Sequence, residues 1–239
     1  MSGTQEPLTV VIGYDSREVP AWHVCAESIL QNTSSLVRII PLHLPTLEKL
    51  GLMWRQDKGA TDFSFSRFLS PYLAGYKGKV LFMDCDMVVR GDIKEVFDAL
   101  PLDKCVAVVK HHWQPSDNVK FGGLVTTQNK YEKKLWSAVM VFNCASQKVK
   151  NLTPKAVNEM SGADLHQFKW THESRVAELP EAWQWIPGHS HNRVPIEEAK
   201  LIHYTEEAPW WPNYPDKGSP EERIWLEEQT KLISKQALT

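Results

Sequence analysis

The sequence predicts an α/β protein: one domain with a mixed, mainly parallel central sheet flanked by helices, followed by a C-terminal helix. Two observations predict this class. Short apolar runs, of the kind that form buried parallel strands, alternate with segments of helical periodicity. One run, residues 79–83, leads directly into Asp84 and Asp86, and open α/β sheets bind their ligands at the carboxyl ends of strands.

The composition fits one globular domain. The chain has 239 residues, 42% of them hydrophobic, which is enough for a sizeable core. The formal net charge of −2 gives no electrostatic reason to expect nucleic acid or an anionic membrane as a partner. The four cysteines are scattered, and no signal peptide or stretch of membrane-spanning length is visible. A reducing, cytoplasmic setting is therefore expected.

The chain begins with a predicted β-α-β unit. Residues 8–12 and 38–42 are apolar runs, and Pro20 is typical of the first turn of the helix between them. The loop at 13–19 lies over the end of the first strand. It contains neither a G-x-G-x-x-G nor a Walker pattern, which argues against a dinucleotide site or a P-loop.

A helix is predicted over residues 61–75, bent by Pro71, because its apolar residues recur at helical spacing. Arg67 lies off the apolar face of this helix. It is either a solvated surface residue or a ligand for phosphate or ribose, since guanidinium suits oxyanions.

The rest of the chain alternates strands, loops and helices. The expected elements are a turn at 88–93, a short helix at 94–100, a strand at 106–109, a loop at 110–113, a polar segment at 114–134, a strand at 137–143, patchy helices at 153–175, a strand at 200–205 and a final helix from Ser219-Pro220. The polar segment contains Gly122-Gly123 and is predicted to be a lid that closes over a ligand.

Asp84 and Asp86 are the strongest chemical signal. Residues i and i+2 of an extended chain point to the same side, so the two carboxylates can converge on a hard divalent cation, which can hold phosphates. A D-x-D sequence is common, and the alternative is a pair of solvated turn residues. The apolar strand before the pair and the sequence around it favour the metal site.

The order and spacing of several short sequences resemble glycosyltransferase family 8 of the bacterial type, which has the GT-A fold of nucleotide-diphospho-sugar transferases. The matching sequences are residues 11–18, 65–71, 80–92 and 137–143, Leu179-Pro180 with Trp183, and 202–205 with Pro209-Trp210. The resemblance implies a single GT-A domain over residues 1–239, with a nucleotide-binding half at 8–109, an acceptor and donor-sugar half at 110–211, and a C-terminal loop and helix at 212–239.

The resemblance also implies a donor, a cofactor and a reaction. Asp84, Asp86 and His203 would hold Mn²⁺, with Mg²⁺ as the alternative, and the ion would neutralise the leaving nucleoside diphosphate. The donor would be a UDP-sugar, the acceptor an unidentified carbohydrate or other hydroxyl, and the anomeric configuration would be retained. The C-terminal helix could support an oligomer.

The implied site residues fall into two sets. The catalytic set is Asp84, Asp86, Arg67 and Asp164. Donor contacts are implied for Gly13, Tyr14, Asp15, Arg67, Cys85, Ser137 and His166, where Asp15 would accept from a uracil-type N–H and the backbone of Cys85 would face the ribose.

The chain departs from the family pattern at several positions. In the closing motif, Glu206 replaces a glycine and Ala208 replaces the phosphate-binding lysine. Arg67 is the first candidate to supply the missing cation and Lys120 the second, so Arg67→Ala is expected to lower turnover more than UDP binding. The donor-sugar pair Asp-Gln appears only as Asp164-Leu165-His166, which predicts altered sugar recognition.

Other functions remain open at this point. A haloacid dehalogenase-type phosphatase also ends a strand in D-x-D, but near its N-terminus. A sugar nucleotidyltransferase needs a Gly-rich loop with Arg or Lys after the first strand, and residues 13–18 lack one. A non-catalytic carbohydrate- or nucleotide-binding protein of the same fold would not need Asp84, Asp86 and His203 together.

Overall fold

The structure is a computed structural model. It describes residues 6–57, 59–111, 133, 135–189, 192–205, 208–215 and 218–234, and the backbone of 119–120 and 124–125. The strands are β1 (Leu8–Tyr14), β2 (Val37–His43), β3 (Lys79–Met83), β4 (Met87–Val89), β5 (Val106–Val108), β6 (Val119–Lys120), β7 (Leu124–Val125), β8 (Val139–Asn143), β9 (Val176–Glu178) and β10 (Leu201–His203). The helices are α1 (Val19–Gln31), α2 (Leu44–Lys49), α3 (Ser70–Leu73), α4 (Lys94–Asp98), α5 (Gln147–Lys150), α6 (Pro154–Glu159), α7 (Gly162–His166) and α8 (Pro220–Ser234).

A six-stranded sheet in the order β2-β1-β3-β8-β5-β9 forms the centre of the fold. β1 is parallel to β2 and β3, β8 is antiparallel to β3 and β5, and β9 is parallel to β5. All strands except β8 therefore run in one direction, so the prediction of a mixed, mainly parallel sheet is confirmed. The carboxyl ends of β1, β3, β5 and β9 meet at the same edge.

The core follows from the apolar strands. Every residue of β8 and four of the five residues of β3 are buried, as expected for strands covered by helices on both faces. Helix α1 buries one stripe of its surface, and Pro20 lies in its first turn as predicted. The final helix α8 also begins at the predicted place, where Ser219 Oγ accepts a hydrogen bond from the backbone N–H of Glu222 at 3.3 Å.

A second, two-stranded sheet positions the functional residues. β4 pairs with β10 in antiparallel register, with Met87 opposite His203. The sequence analysis expected a turn at residues 88–93, and this is wrong for the first two. The apolar residues after Asp86 are buried and pair with a strand more than a hundred positions later, a partner that local sequence cannot reveal.

Two other expected bounds are corrected. Residues 61–65 form turns, and helical structure starts only with a 3-10 turn at Ser66–Leu69 followed by α3. Pro71 lies in the first turn of α3 because proline has no N–H to donate within a helix. The strand expected at 137–143 begins at Val139, after a 3-10 turn at Trp136–Ala138.

Some predictions fall outside the described residues. Most of the predicted lid at 114–134, the side chain of Lys120, and Glu206 belong to this group. Among the described helices, none has the length and apolar character needed to cross a membrane.

Candidate metal centre and donor site

Asp84, Asp86 and His203 converge at the carboxyl end of β3. His203 Nε2 lies 3.2 Å from Asp86 Oδ1 and 4.0 Å from Asp84 Oδ2. One ligand-type atom from each of the three residues lies within 4.8 Å of the others. The pairing of β4 with β10 places His203 there, and the backbone N–H of Tyr204 donates to Asp86 O at 2.8 Å. The expected convergence of the three side chains is therefore observed.

The cluster fits a divalent cation. All three side chains are buried, which is costly for two neighbouring carboxylates unless positive charge is close. His203 Nε2 has no hydrogen-bond partner with acceptable geometry within the described chain. Two carboxylates and one imidazole suit Mn²⁺, with Mg²⁺ as the alternative, and leave coordination positions for phosphate oxygens.

Arg67 supplies positive charge beside this cluster. Its Nη1 lies 3.0 Å from Asp84 Oδ1 and donates to Ser137 O at 2.8 Å. The guanidinium lies 5.2 and 5.0 Å from the ring centroids of Phe63 and Phe82. With only 6% of its surface exposed, Arg67 is not the solvated residue that the sequence left open. It holds Asp84, whereas its contact with a donor phosphate stays a prediction.

Ser137 connects His166 to Arg67. Its carbonyl accepts from Arg67, and its hydroxyl lies 2.8 Å from His166 Nδ1. Asp164, by contrast, is 38% exposed and forms an ion pair with Lys169 at 2.7 Å. Hydrogen bonds from Lys169 and Ser161 lower the pKa of Asp164. His166 is thus connected to the metal-site arginine through a single residue, Ser137. The catalytic role of Asp164 stays a prediction.

Asp15 is fully buried in the loop after β1 and accepts four hydrogen bonds. Three come from Arg17, through its backbone N–H at 3.0 Å, Nε at 2.8 Å and Nη2 at 2.5 Å, and one from the backbone N–H of Asp62 at 3.1 Å. Burial favours a raised pKa, but these hydrogen bonds outweigh it and lower the pKa of Asp15. A carboxylate has about four acceptor sites. In this conformation Asp15 organises the loop, and recognition of a base by Asp15 stays a prediction.

Gly13 and Tyr14 are the last two residues of β1, so the loop expected from residue 13 begins only at Asp15. A Cβ on Gly13 would meet the ring of Phe63 at 2.5 Å, so the glycine lets that ring pack against β1. The half-buried Tyr14 ring contacts Trp22 and His43 edge-on, with centroids 6.1 and 5.2 Å away. The packing accounts for the glycine without a ligand.

Cys85 lies between the two carboxylates, and its side chain faces the core. Its Sγ lies 3.6 Å from Glu18 Oε2. Burial, and then the negative charge of Glu18, raise the pKa of the Cys85 thiol, and burial also raises that of Cys25. Both thiols are therefore neutral, and only the backbone of Cys85 can face a ligand.

Ala208, at the position of the family's lysine, is buried beside an aromatic cluster. Trp210 lies between Tyr204 and Trp225, at centroid distances of 6.0 and 5.3 Å. This cluster joins α8 to the end of β10. The residue therefore contributes packing and no charge.

Sequence analysis missed two buried residues behind His203. Gln184, at the end of the 3-10 turn Glu181–Gln184, places Nε2 3.2 Å from His203 Nδ1. The backbone carbonyl oxygen of Gln184 lies 2.8 Å from His111 Nε2, and burial lowers the pKa of His111 to about 4. His111 is therefore neutral and donates this hydrogen bond. Residue type alone could not have identified Gln184, because its partners come from distant segments.

A cavity of about 880 Å³ opens beside His111, at the carboxyl ends of β5 and β9. Its charged lining is balanced between two cations and two carboxylates: Lys110, Arg193, Glu178 and Glu181. Arg193 Nε lies 3.5 Å from Glu181 Oε2. Gln184, which contacts both His111 and His203, separates this cavity from the metal cluster.

Known proteins resemble this chain in sequence and in fold. A family model described as Glycosyl transferase family 8 matches residues 25–213. Protein CDI of Arabidopsis thaliana is 37% identical over 233 residues, which cover 95% of this chain and 88% of that protein. Because this relative comes from a plant, the comparisons do not confirm the bacterial type.

Solved glycosyltransferases share the fold at low identity. GlyE of Streptococcus pneumoniae matches with a TM-score of 0.62 and 14% identity over 97% of this chain and 63% of its own. The bifunctional glycosyltransferase WbbM matches with a TM-score of 0.60 and 16% identity over 96% of this chain, which spans only 53% of WbbM. The galactosyltransferase LgtC, solved with donor and acceptor sugar analogues, matches with a TM-score of 0.55 and 14% identity over 94% of this chain and 96% of its own.

Proposed function

Because the chain belongs to glycosyl transferase family 8 and is a glycosyltransferase, we propose that it moves a sugar from a UDP-sugar to a hydroxyl acceptor, with a divalent cation and with retention of configuration. The observation that carries this proposal is the convergence of Asp84, Asp86 and His203 at the carboxyl end of β3. The family match removes the phosphatase alternative. A non-catalytic binding protein would not need this cluster, whose burial costs free energy.

The residues of the site would act by holding and orienting. When bound, the cation would act as a Lewis acid and neutralise negative charge on the leaving diphosphate. Asp84, Asp86 and His203 would hold it, and Arg67 would keep Asp84 in place and offset one of the two carboxylate charges. Retention would proceed by front-face attack, with the leaving phosphate as base. Gly13, Tyr14 and Asp15, at the carboxyl end of β1, would orient the nucleotide in the half formed by residues 8–109.

The cavity beside His111 is the proposed acceptor site. β3 and β5 are separated by β8, so the cavity lies roughly 10 Å from the metal cluster along the edge of the sheet. An acceptor that fills the cavity and reaches the donor would span more than one sugar ring. The balanced lining charges favour an uncharged carbohydrate over an ionic acceptor.

The four cysteines are free and buried, which fits the reducing, cytoplasmic setting that we propose for the protein.

The first test is metal-dependent nucleotide binding. UDP with Mn²⁺ should raise the melting temperature of the wild type, and Asp86→Ala should lose that shift because one carboxylate ligand is gone. Asp103→Asn is the control, since Asp103 is 68% exposed and pairs only with its neighbour Lys104 among the ion pairs of the described chain. Hydrolysis of a panel of sugar nucleotides with Mn²⁺ would then identify the donor. An unchanged UDP–Mn²⁺ shift in Asp86→Ala would refute the metal assignment.

A further inference from the structure

Gln184 is completely buried between a metal-site ligand and a backbone carbonyl. Its Nε2 lies 3.1 Å from Leu135 O and 3.2 Å from His203 Nδ1. Its Oε1 is buried and has no hydrogen-bond partner among the described residues. A buried amide oxygen without a partner costs about 1–3 kcal/mol. The amide is therefore only partly satisfied in this conformation.

The carbonyl of Leu135 fixes the orientation of the amide. A carbonyl oxygen only accepts hydrogen bonds, so the amide atom beside it must be the nitrogen. The same nitrogen faces His203 Nδ1, which must then accept a hydrogen bond as well. A neutral imidazole whose Nδ1 accepts carries its proton on Nε2. In this conformation the His203 proton thus lies on Nε2, the nitrogen that is 3.2 Å from Asp86 Oδ1.

A cation at the cluster needs the opposite arrangement. It would bind the lone pair of His203 Nε2, so the proton would have to be on Nδ1 and donate to an acceptor behind the ring. Rotation of the Gln184 amide by half a turn would place Oε1 in that position and give the oxygen its missing partner. We propose that Gln184 is a positioning residue whose amide selects which nitrogen of His203 carries the proton, and that this amide rotates by half a turn when a divalent cation binds.

The rotation has a consequence at Leu135. With Oε1 in place of Nε2, two oxygens would face each other across the former hydrogen bond, and Leu135 O would have to move away. Leu135 already has a left-handed backbone, with φ of 67°, which is uncommon for a leucine. It directly precedes the 3-10 turn that contains Ser137, whose carbonyl binds Arg67. Cation binding is thereby linked to the backbone that supports the metal-site arginine.

The experiment reads the His203 tautomer directly, by nitrogen NMR of protein labelled with ¹⁵N-histidine and, for Leu135, with ¹³C at the leucine carbonyls. His203→Gln identifies the signal by its loss. Without metal, the wild type should carry the proton on Nε2, and with Mg²⁺ and UDP it should carry the proton on Nδ1, while the carbonyl carbon signal of Leu135 shifts. A proton on Nδ1 without metal, or on Nε2 with Mg²⁺ and UDP bound, would overturn the proposal.

Two variants test the mechanism through Mg²⁺ affinity, measured by calorimetry in the presence of UDP. Gln184→Met removes the acceptor for Nδ1–H and should weaken Mg²⁺ binding by about 10–100-fold. Gln184→Glu keeps an acceptor and should bind Mg²⁺ at least as tightly as the wild type, a rescue that a merely structural role would not produce. Equal affinities of Gln184→Met and wild type would overturn the proposal.

The proposal rests on the metal site of the proposed function, and the two can fail separately. If the wild type does not bind Mg²⁺ with UDP, the proposed function fails, and the switch on cation binding fails with it. If the wild type binds them with no change of tautomer, only the role of Gln184 is wrong.

Discussion

Replacing Arg67 with methionine separates two roles that this arginine could have. The change removes a buried positive charge beside Asp84 and a hydrogen bond to Ser137 O, and it keeps most of the side-chain volume between Phe63 and Phe82. Breaking a buried ion pair by removing one partner costs about 3–5 kcal/mol. Without metal, Arg67→Met should therefore lose about that much free energy of unfolding, a large share of the roughly 5–15 kcal/mol of a typical domain.

The loss of Arg67 should also change the affinity of the protein for Mn²⁺. Two unit charges 4 Å apart interact by about 4 kcal/mol at the effective permittivity of a protein surface. With one positive charge fewer near the carboxylates, Arg67→Met should bind Mn²⁺ more tightly than the wild type, by roughly tenfold or more. Added Mn²⁺ should then restore more stability to the variant than to the wild type.

Arg55→Met is the matched control. Arg55 is equally buried, with 6% side-chain exposure, pairs with Asp57 and packs over Phe65, but it holds carbonyls at the end of α6 and does not contact the metal cluster. Arg55→Met should therefore lose free energy of unfolding without a change in Mn²⁺ affinity. Urea unfolding at several Mn²⁺ concentrations measures both quantities. Weaker Mn²⁺ binding by Arg67→Met than by the wild type would refute the charge-balance argument.

Two further predictions concern the region behind the metal cluster. Burial lowers the pKa of His111 to about 4, so the folded protein binds this proton less readily than the unfolded chain does. The contribution of neutral His111 to the free energy of unfolding is therefore complete above about pH 6.5 and is lost as the pH falls toward 4. Between pH 7 and pH 5, the wild type should lose roughly 2 kcal/mol more in urea unfolding than His111→Gln, and parallel losses would exclude His111 as the cause. Glu178→Trp, which fills the proposed acceptor cavity from an exposed position, should block transfer to an acceptor and leave Mn²⁺-dependent donor hydrolysis intact; loss of both would mean that the cavity does not serve the acceptor alone.

The carboxylate pair was predictable because its signal is local. An apolar strand followed by two acidic residues requires no knowledge of distant segments, and the strand at 79–83 was predicted with the observed bounds. His203 followed from the family resemblance. The short strand β4 was missed because its partner β10 is remote in sequence.

The environment of the site could not be predicted for the same reason. The burial of Arg67 depends on Phe82 and Ser137, which belong to two other elements. The four hydrogen bonds that occupy Asp15 depend on how the loop folds back to Arg17 and Asp62. Sequence spacing identifies residue types that suit a ligand, but it does not show whether another part of the chain already uses them.

The charge balance of the site bears on the lysine that this chain lacks. Asp84 and Asp86 carry two negative charges, Arg67 offsets one, and a divalent cation would leave the cluster with one positive charge. A nucleoside diphosphate gains negative charge as it leaves, and cations aimed at developing charge are worth several kcal/mol. Ala208 supplies none, and Arg67 is already committed to Asp84 and Ser137.

Lys120 is therefore the stronger of the two candidates that the sequence offered. Lys120→Ala should lower turnover by roughly tenfold to a thousandfold, with a smaller effect on UDP–Mn²⁺ affinity, because the interaction would strengthen only as the donor bond breaks. Steady-state kinetics with the identified donor, together with UDP titration, measure both effects. An unchanged turnover would show that the diphosphate leaves without help from Lys120.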